Sequence, residues 1–311
     1  MTKLGKEIDV SGEFSGGAST IIILGLLLAG FFIGQFAGAI GAIVLAFANG
    51  LSIDQLSDDL NVLYDYLSLT EVLTTQVLYT IVFTFVTPWF YLRLFAKKKF
   101  ADLSVSGPIN PVLVIITILA TFSFMLVNTY VIEWNANVDL PDFLSGFEQW
   151  AKELEQTLAE TTEKYTNFES FPEFIVGLIA ISILPGIGEE LLFRGVLQNG
   201  LKKWTKNIHV AIWVSAFIFS AIHMQFYGLV PRMLLGALFG YLYFWSGSIW
   251  YAIIAHMANN GIAVIIAYTA TANLDEPENV PVLVSLAGLL VFAALLIFFR
   301  RMSTQKSITR E

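Results

Sequence analysis

The chain contains no cysteine and only three histidines among its 311 residues, and charged residues make up 14% of it. The absence of cysteine excludes both a disulfide framework and a thiol nucleophile. A soluble domain carries about a quarter charged residues, so the scarcity of charge argues against a soluble globular protein. The basic residues form no patch of the kind that nucleic acid requires, and we expect no nucleic-acid partner.

Apolar sequence dominates instead, since 56% of the residues are hydrophobic and the mean hydropathy is +0.70. A helix needs roughly 17–25 apolar residues to cross a bilayer. The apolar runs predict about eight transmembrane helices, near residues 19–48, 73–95, 111–132, 174–195, 208–224, 228–245, 249–271 and 281–299. The predicted fold class is therefore all-α, a polytopic helical bundle whose partner is the lipid bilayer.

The charges that flank these helices predict how the chain is oriented. With eight crossings, the basic clusters all lie on one side: Lys3 and Lys6, Lys97–Lys99, Lys202, Lys203 and Lys206, and Arg300 with Arg301. Positive charge marks the cytoplasmic side, so both termini are predicted to be cytoplasmic. Arg232 is the exception. We expect an integral protein of the cytoplasmic (inner) membrane of a bacterium.

An acidic segment at residues 133–173 interrupts the apolar pattern. Its apolar and aromatic residues recur at three- and four-residue spacing, as in Phe147, Trp150, Leu154 and Leu158. This spacing predicts an amphipathic helix on the outer membrane surface or over the bundle, acting either as a structural cap or as a substrate-gating lid. We divide the chain into residues 1–173 (three helices and the acidic segment), 174–271 (a catalytic core of four helices) and 272–311 (the last helix and a basic cytoplasmic tail).

Ionisable and amide side chains are rare within the predicted helices. Each is a functional candidate, because a charge in lipid costs several kcal/mol unless it is paired. They are Glu189, Glu190, Arg194, His223, His256, Asn259 and Asn260.

The stretch "GIGEELLFRG" at residues 186–195 holds two of these acids and the arginine. Glu190 and Arg194 are four residues apart, so their side chains share a helix face and can form an ion pair. Glu189 is rotated about 100° from Glu190 and has no partner in its own helix. An unpaired buried carboxylate is a suitable general base near neutral pH, so Glu189 is the reactive candidate.

Two further pairs have the same four-residue spacing, Phe219 with His223 and His256 with Asn260. If their faces converge on Glu189, a carboxylate, two imidazoles and a carboxamide surround one cavity. Such a set can activate water and stabilise the oxyanion that forms when a carbonyl is hydrolysed. Gly236 and Gly240 in "GALFG" indicate close helix packing.

These three motifs resemble those of the CPBP (Abi) family of intramembrane proteases, named for CAAX prenyl proteases and bacteriocin-processing enzymes. "EELLFR" at 189–194 resembles the family's EExxxR, "FSAIH" at 219–223 its FxxxH, and "HMANN" at 256–260 its HxxxN. The resemblance implies an intramembrane endopeptidase that acts on a peptide or a membrane-anchored protein.

The resemblance also implies roles for single residues. Glu189 and His223 would activate the attacking water. His256 and Asn260 would stabilise the oxyanion, and the supporting residues would be Glu190, Arg194 and Phe219.

Metal dependence and function class have alternatives. The chain has no HExxH zinc motif, so we favour a metal-free, glutamate-type protease without a cofactor. The metalloprotease alternative is a zinc ion held by Glu189, His223 and His256. A proton-coupled transporter that uses the buried Glu and His residues and a non-enzymatic membrane partner in maturation or immunity are the alternative functions. A serine protease of rhomboid type fits less well, because Ser19, Ser246 and Ser248 lie at predicted membrane borders.

The predicted helix ends place the motifs at different depths. Counted at ~1.5 Å per residue, Glu189 lies roughly 9 Å from the cytoplasmic end of its helix and His223 more than roughly 20 Å from that side. The motifs can meet only if the fourth helix continues past Gly195, or if the fifth is tilted or begins later.

Overall fold

The computed structural model describes residue 10 and residues 12–58, 60–104, 109–270 and 280–308. Within these residues the chain is helical and contains no strand. Its principal helices are α1 (Gly16–Ala48), α2 (Leu69–Ala96), α3 (Pro111–Ala136), α4 (Ser145–Thr166), α5 (Phe171–Thr205), α6 (Ile208–Ala221), α7 (Leu229–Ser246), α8 (Ile249–Ala270) and α9 (Val282–Ile308).

Seven of the helices in the described part of the chain are long and apolar enough to cross a membrane. These are α1, α2, α3, α5, α7, α8 and α9, with α7 counted from Phe226. The remaining predicted crossing, near 208–224, is α6, which has only 14 residues. At ~1.5 Å per residue it is roughly 21 Å long, short of a hydrocarbon core of ~30 Å. The predicted polytopic helical membrane fold is confirmed, but only seven of the eight predicted crossings correspond to helices of sufficient length in the described residues.

The short helix α6 packs antiparallel against α7. Near the start of α6, Nδ1 of His209 lies 2.8 Å from the hydroxyl of Tyr241 late in α7. Near its end, Ser220 Oγ donates a hydrogen bond of 2.7 Å to the carbonyl of Leu229. The pairing therefore extends along the full length of α6 and preserves the alternating direction of the helices.

The basic clusters that the structure describes lie at one end of the bundle. Lys97 forms an ion pair of 2.5 Å with Glu13 beside the start of α1. At the same end, the hydroxyl of Tyr91 donates to the carbonyl of Val10 at 2.8 Å. The predicted cluster at Lys3 and Lys6 lies outside the described residues. The assignment of this end to the cytoplasm stays a prediction.

The main hydrophobic core draws residues from both ends of the sequence. Ile23 of α1, Phe83 of α2, Phe193 of α5 and Phe299 of α9 all belong to it and are almost fully buried. The helix predicted within residues 133–173 is α4, and it lies across one end of this bundle. Its Ala151 is buried, and the ring of Phe147 meets that of Phe226 edge to face at 5.5 Å.

Glycines in "GIGEELLFRG" let two helices approach α5 closely. A Cβ on Gly188 would lie 1.9 Å from Oγ1 of Thr84 in α2, and one on Gly186 would lie 2.6 Å from Cγ of Met257 in α8. Gly236 of α7 has the same role, since its Cβ would lie 3.2 Å from Cα of Ala216 in α6. The expectation that these glycines mediate close helix packing is confirmed.

We expect Gly188→Ala to destabilise the protein by about 1–3 kcal/mol, the usual cost of overpacking. The added methyl group overlaps Thr84 and the ring of Phe85. Gly25→Ala is the matched control, because a Cβ there meets no heavy atom within 4 Å. Thermal unfolding of both variants in detergent micelles measures the difference, and equal transition temperatures would contradict the close α2–α5 contact.

Candidate active site

The α5 helix carries both glutamates on a short α-helical stretch between two π-helical segments. The π-helical segments are Leu178–Ile183 and Leu191–Gln198, and the stretch between them is Leu184–Glu190. A π-helical segment widens the helix by one residue per turn and is frequent at functional sites. The backbone of α5 is therefore irregular on both sides of the stretch that carries the two glutamates.

The α5 helix continues to Thr205 and does not end near Gly195 as the hydropathy predicted. Polar Gln198 and Asn199 end the apolar run in the sequence, but both are buried in the structure. The amide of Asn199 donates to the carbonyl of Gly195 at 2.8 Å and to the hydroxyl of Tyr243 at 3.0 Å. These tertiary contacts satisfy the amide of Asn199, and Nε2 of Gln198 donates to the carbonyl of Gly240 at 3.3 Å, so the helix can continue through polar residues.

The predicted ion pair between Glu190 and Arg194 is present and buried. Nη1 of Arg194 lies 2.8 Å from Oε1 of Glu190, and the two side chains are 1% and 0% exposed. Nη2 of Arg194 donates to the carbonyl of Gly236 at 2.9 Å. The guanidinium carbon lies 4.6 Å from the ring centre of Phe219 and 5.4 Å from that of Phe239, both cation–π distances.

His256 lies between the two adjacent glutamates. Its Nδ1 is 2.8 Å from Oε1 of Glu190, and its Nε2 is 3.8 Å from Oε2 of Glu189. Because an ionised carboxylate only accepts hydrogen bonds, Nδ1 carries the hydrogen toward Glu190. Phe239 stacks on the imidazole with ring centres 5.0 Å apart. Glu190 therefore orients His256 as well as pairing with Arg194, and Nε2 is directed toward Glu189.

His223 lies in the turn that follows α6. Met224 after it has a left-handed backbone, with φ of 57°, which turns the chain away from the helix axis. Nδ1 of His223 lies 2.8 Å from the carbonyl of Phe219. A carbonyl cannot donate, so Nδ1 carries the hydrogen and the Nε2 of a neutral His223 keeps its lone pair.

Phe219 contacts one residue of each of the three motifs. Its ring centre lies 5.2 Å from that of His223 and 5.8 Å from that of His256, in addition to its contact with Arg194. The sequence had placed His223 far deeper than Glu189. The continuation of α5 and the position of His223 in the turn after α6 remove that difference in depth.

Asn260 lies on the seam between α8 and α5. Its Nδ2 donates to the carbonyl of Ile181 at 3.1 Å, and its Oδ1 accepts from the amide of Asn259 at 3.1 Å. One turn earlier, Oγ of Ser182 donates to the carbonyl of Met257 at 2.9 Å. In this conformation the side-chain amide of Asn260 therefore links α8 to α5, and one of its two N–H groups is already hydrogen-bonded.

The alternative zinc ligands do not form a compact cluster. Among the described residues, no group of three His, Asp or Glu side chains is arranged to hold a metal ion. Each of the two histidines nevertheless holds its Nδ1 on an acceptor and leaves Nε2 free. Metal-ligating histidines share that arrangement.

Sequence reasoning missed Phe239 and the carbonyl of Gly236. Phe239 is one of 26 phenylalanines and stood out by no spacing of its own. The signal that could have found both was "GALFG" at 236–240, which predicted only close packing. The same close approach of α7 brings the Gly236 carbonyl to Arg194 and the Phe239 ring to His256.

Comparison with known proteins finds similarity in the segment that carries these residues. Residues 171–262 match a family model described as "Type II CAAX prenyl endopeptidase Rce1-like". An uncharacterized protein of Bacillus subtilis (strain 168), YpbD, is 29% identical over 83 residues, which are 25% of this chain and 39% of that protein. A protein of the same organism named "Putative membrane peptidase YdiL" is 30% identical over 112 residues, 36% of this chain and 46% of that protein.

The chain thus spans less than half the length of either of these relatives. No solved structure is significantly similar to it. The matched segment contains all three motifs, from Glu189 to Asn260. The resemblance to the CPBP proteases is confirmed: residues 171–262 are similar to the Rce1-like type II CAAX prenyl endopeptidases.

Proposed function

We propose that the chain is a membrane endopeptidase that hydrolyses a peptide bond in a peptide or a membrane-anchored substrate. The single observation that carries the proposal is the unequal environment of the two glutamates. Glu190 is fully buried between Arg194 and His256. Glu189 is 17% exposed and faces the free nitrogen of His256 at 3.8 Å. One carboxylate is thereby committed to structure, and the other is available to react.

In the proposed reaction, Glu189 takes a proton from water while the oxygen attacks the carbonyl carbon of the scissile bond. His223 presents the lone pair of Nε2 and helps to orient that water. The proton held by Glu189 then passes to the nitrogen of the leaving amine as the C–N bond breaks. General-base catalysis of this kind contributes about 10²–10⁴-fold to the rate.

The oxyanion that forms on the substrate requires hydrogen-bond donors. His256 donates from Nε2 when both of its ring nitrogens carry hydrogens, with Nδ1 still on Glu190. Asn260 has a second N–H beyond the one given to Ile181. Loss of one such donor typically lowers kcat by about 10²–10³-fold.

The proposed setting is the cytoplasmic membrane of a bacterium. Seven helices of the described chain are suited to crossing a bilayer, and both relatives are bacterial. The substrate would therefore approach Glu189 from the bilayer or from its surface.

The test is cleavage of a synthetic peptide library by the purified protein in proteoliposomes, with products identified by mass spectrometry. We expect a defined set of bonds to be cut, because Glu189 and His223 supply base chemistry and His256 fixes the donor geometry. We also expect cleavage to be unaffected by EDTA, since these side chains need no Lewis acid. A zinc protease assayed in parallel verifies that EDTA removes metal under these conditions.

Two outcomes would contradict parts of the proposal separately. Failure of the wild-type protein to cut any peptide would contradict the endopeptidase function. Loss of cleavage in EDTA with recovery in zinc would contradict the metal-free mechanism alone. It would favour zinc held by Glu189, His223 and His256, because each of the two histidines has a free Nε2 for a metal ion.

A further inference from the structure

Arg232 is an unusual residue in this fold. It lies near the start of α7, at the end of the bundle opposite to the lysine clusters, and it is partly buried. The N-terminus of a helix carries a partial positive charge, which makes a cation there unfavourable. Neither the orientation of the chain in the membrane nor the stability of α7 accounts for this arginine.

The guanidinium of Arg232 is only partly satisfied. Its Nη2 donates to Oε1 of Gln225 at 2.5 Å. Its Nη1 is buried and has no hydrogen-bond partner within the described residues. A Cβ on Gly228 would lie 3.3 Å from both nitrogens, so the glycine lets the turn pack closely against the guanidinium. A buried cationic donor without an acceptor is costly, and it is therefore the kind of group that a ligand completes.

The position of Arg232 connects it with the reactive residues. The turn from His223 to Gly228 joins α6 to α7 and carries Gln225, the partner of Arg232. Gln225 stands two residues after His223, so the hydrogen bond from Nη2 of Arg232 to Gln225 places the guanidinium against the turn that carries that histidine. An anion bound to Arg232 would therefore lie beside the site at which the peptide bond is expected.

The acidic helix α4 covers this turn from outside. Oε2 of Glu155 accepts from the backbone N–H of Tyr227 at 3.4 Å, in the turn that also carries Gln225, the partner of Arg232. Glu155 is thus a carboxylate that the protein itself places near the guanidinium. It shows which chemistry this location accommodates.

We propose that Arg232 binds a carboxylate of the substrate close to the scissile bond, and so makes the enzyme selective for substrates with an acidic group there. This inference rests on the proposed endopeptidase function. The planar guanidinium offers parallel donors that match the two oxygens of a carboxylate. The group is either the substrate's C-terminal carboxylate or an Asp or Glu side chain. Glu155, which is hydrogen-bonded to the same turn, is a carboxylate of the protein that would compete with it.

Cleavage of matched peptides tests the proposal. One cleaved sequence is prepared with a free C-terminus, with a C-terminal amide, and with its Asp and Glu changed to Asn and Gln. With the wild-type protein, we expect kcat/KM to be roughly 10–100-fold lower for the peptide that lacks the recognised carboxylate, the usual effect of removing a charged hydrogen bond. The difference should arise mainly from a higher KM. The peptide that shows the loss identifies the source of the carboxylate.

Arg232→Gln should cause the same loss with the complete peptide and little further loss with the peptide that lacks the carboxylate. Arg232→Lys should recover part of the activity, since lysine keeps the positive charge but lacks the parallel N–H donors of the guanidinium. Lys164→Gln removes an exposed positive charge from α4 and should leave all rates unchanged. An equal fall in kcat for every peptide in Arg232→Gln would overturn the proposal, because Arg232 would then act on Glu189 and His223 alone.

Binding separates this inference from the proposed function. Binding is measured to the Glu189→Gln protein, in which cleavage is expected to be about 10²–10⁴-fold slower. The libraries carry C-terminal acids or amides, and Asp and Glu or Asn and Gln. Tighter binding of the acidic forms that Arg232→Gln abolishes would support the inference even if the wild type cut no peptide. Glu155→Gln should tighten that binding several-fold. Equal binding of acidic and neutral forms would overturn the inference while leaving the endopeptidase function intact.

Discussion

Glu189→Gln is expected to lower kcat for peptide cleavage by about 10²–10⁴-fold, the contribution of a general base. Glutamine has nearly the shape of glutamate and can still meet the Nε2 of His256, but it cannot accept a proton from water. Because Glu189 is 17% exposed and lies outside the Glu190–Arg194 ion pair, the substitution should not destabilise the fold. Initial rates over a range of peptide concentrations separate the expected fall in kcat from any change in KM.

Two controls make this prediction specific. Glu160→Gln changes an exposed acid on α4 and should retain wild-type rates. Thermal unfolding of Glu189→Gln should match the wild type, which excludes misfolding as the cause of lost activity. If Glu189→Gln cleaves as fast as the wild type, Glu189 is not the base, and the assignment of roles within "GIGEELLFRG" is wrong.

Arg194→Met is expected to destabilise the protein by about 3–5 kcal/mol, the usual effect of removing one partner of a buried ion pair. The substitution leaves the carboxylate of Glu190, which is 0% exposed, without its nearest cation. The other oxygen of Glu190, Oε2, already has no hydrogen-bond partner among the described residues. The carbonyl of Gly236 would also lose its donor. The free energy of unfolding in mixed micelles measures the effect.

The double variant Glu190→Gln with Arg194→Met distinguishes a charge effect from a packing effect. Removing both charges should be much less destabilising than the sum of the single changes, because no uncompensated charge stays buried. Cleavage should stay impaired in the double variant, since His256 loses the carboxylate that orients it. Additive destabilisation would show that Arg194 acts through its contacts with Phe219 and Phe239 alone.

A buried ion pair is weak evidence for stability, since well-packed apolar residues often serve as well. Here the pair has a further consequence, because the Glu190 oxygen that faces Arg194 is also the acceptor for His256. The guanidinium holds that carboxylate in place by a hydrogen bond, and the carboxylate in turn orients the imidazole. We infer that the pair is maintained for the geometry of His256.

The sequence by itself determined the features that depend on local periodicity. Helical geometry places residues four apart on one face, so Glu190 was paired with Arg194 and Glu189 was set apart from it before any contact was known. Apolar run length predicted eight membrane crossings, seven of which are helices suited to crossing the membrane in the described chain, and the three- and four-residue spacing in 133–173 predicted α4. Such features depend only on neighbours within one helix, which the order of residues specifies directly.

Only the tertiary structure decided what depends on contacts between helices. The extension of α5 to Thr205 needs the hydroxyl of Tyr243 as a partner for Asn199, and no hydropathy window contains that information. The register of α7 and α8 against α5 likewise decides three other features. These are the hydrogen bond of His256 with Glu190, the stacking of Phe239 on His256 and the position of the Arg232 guanidinium. That register follows from glycines and side-chain volumes on several helices at once, because packing is a property of the assembled bundle.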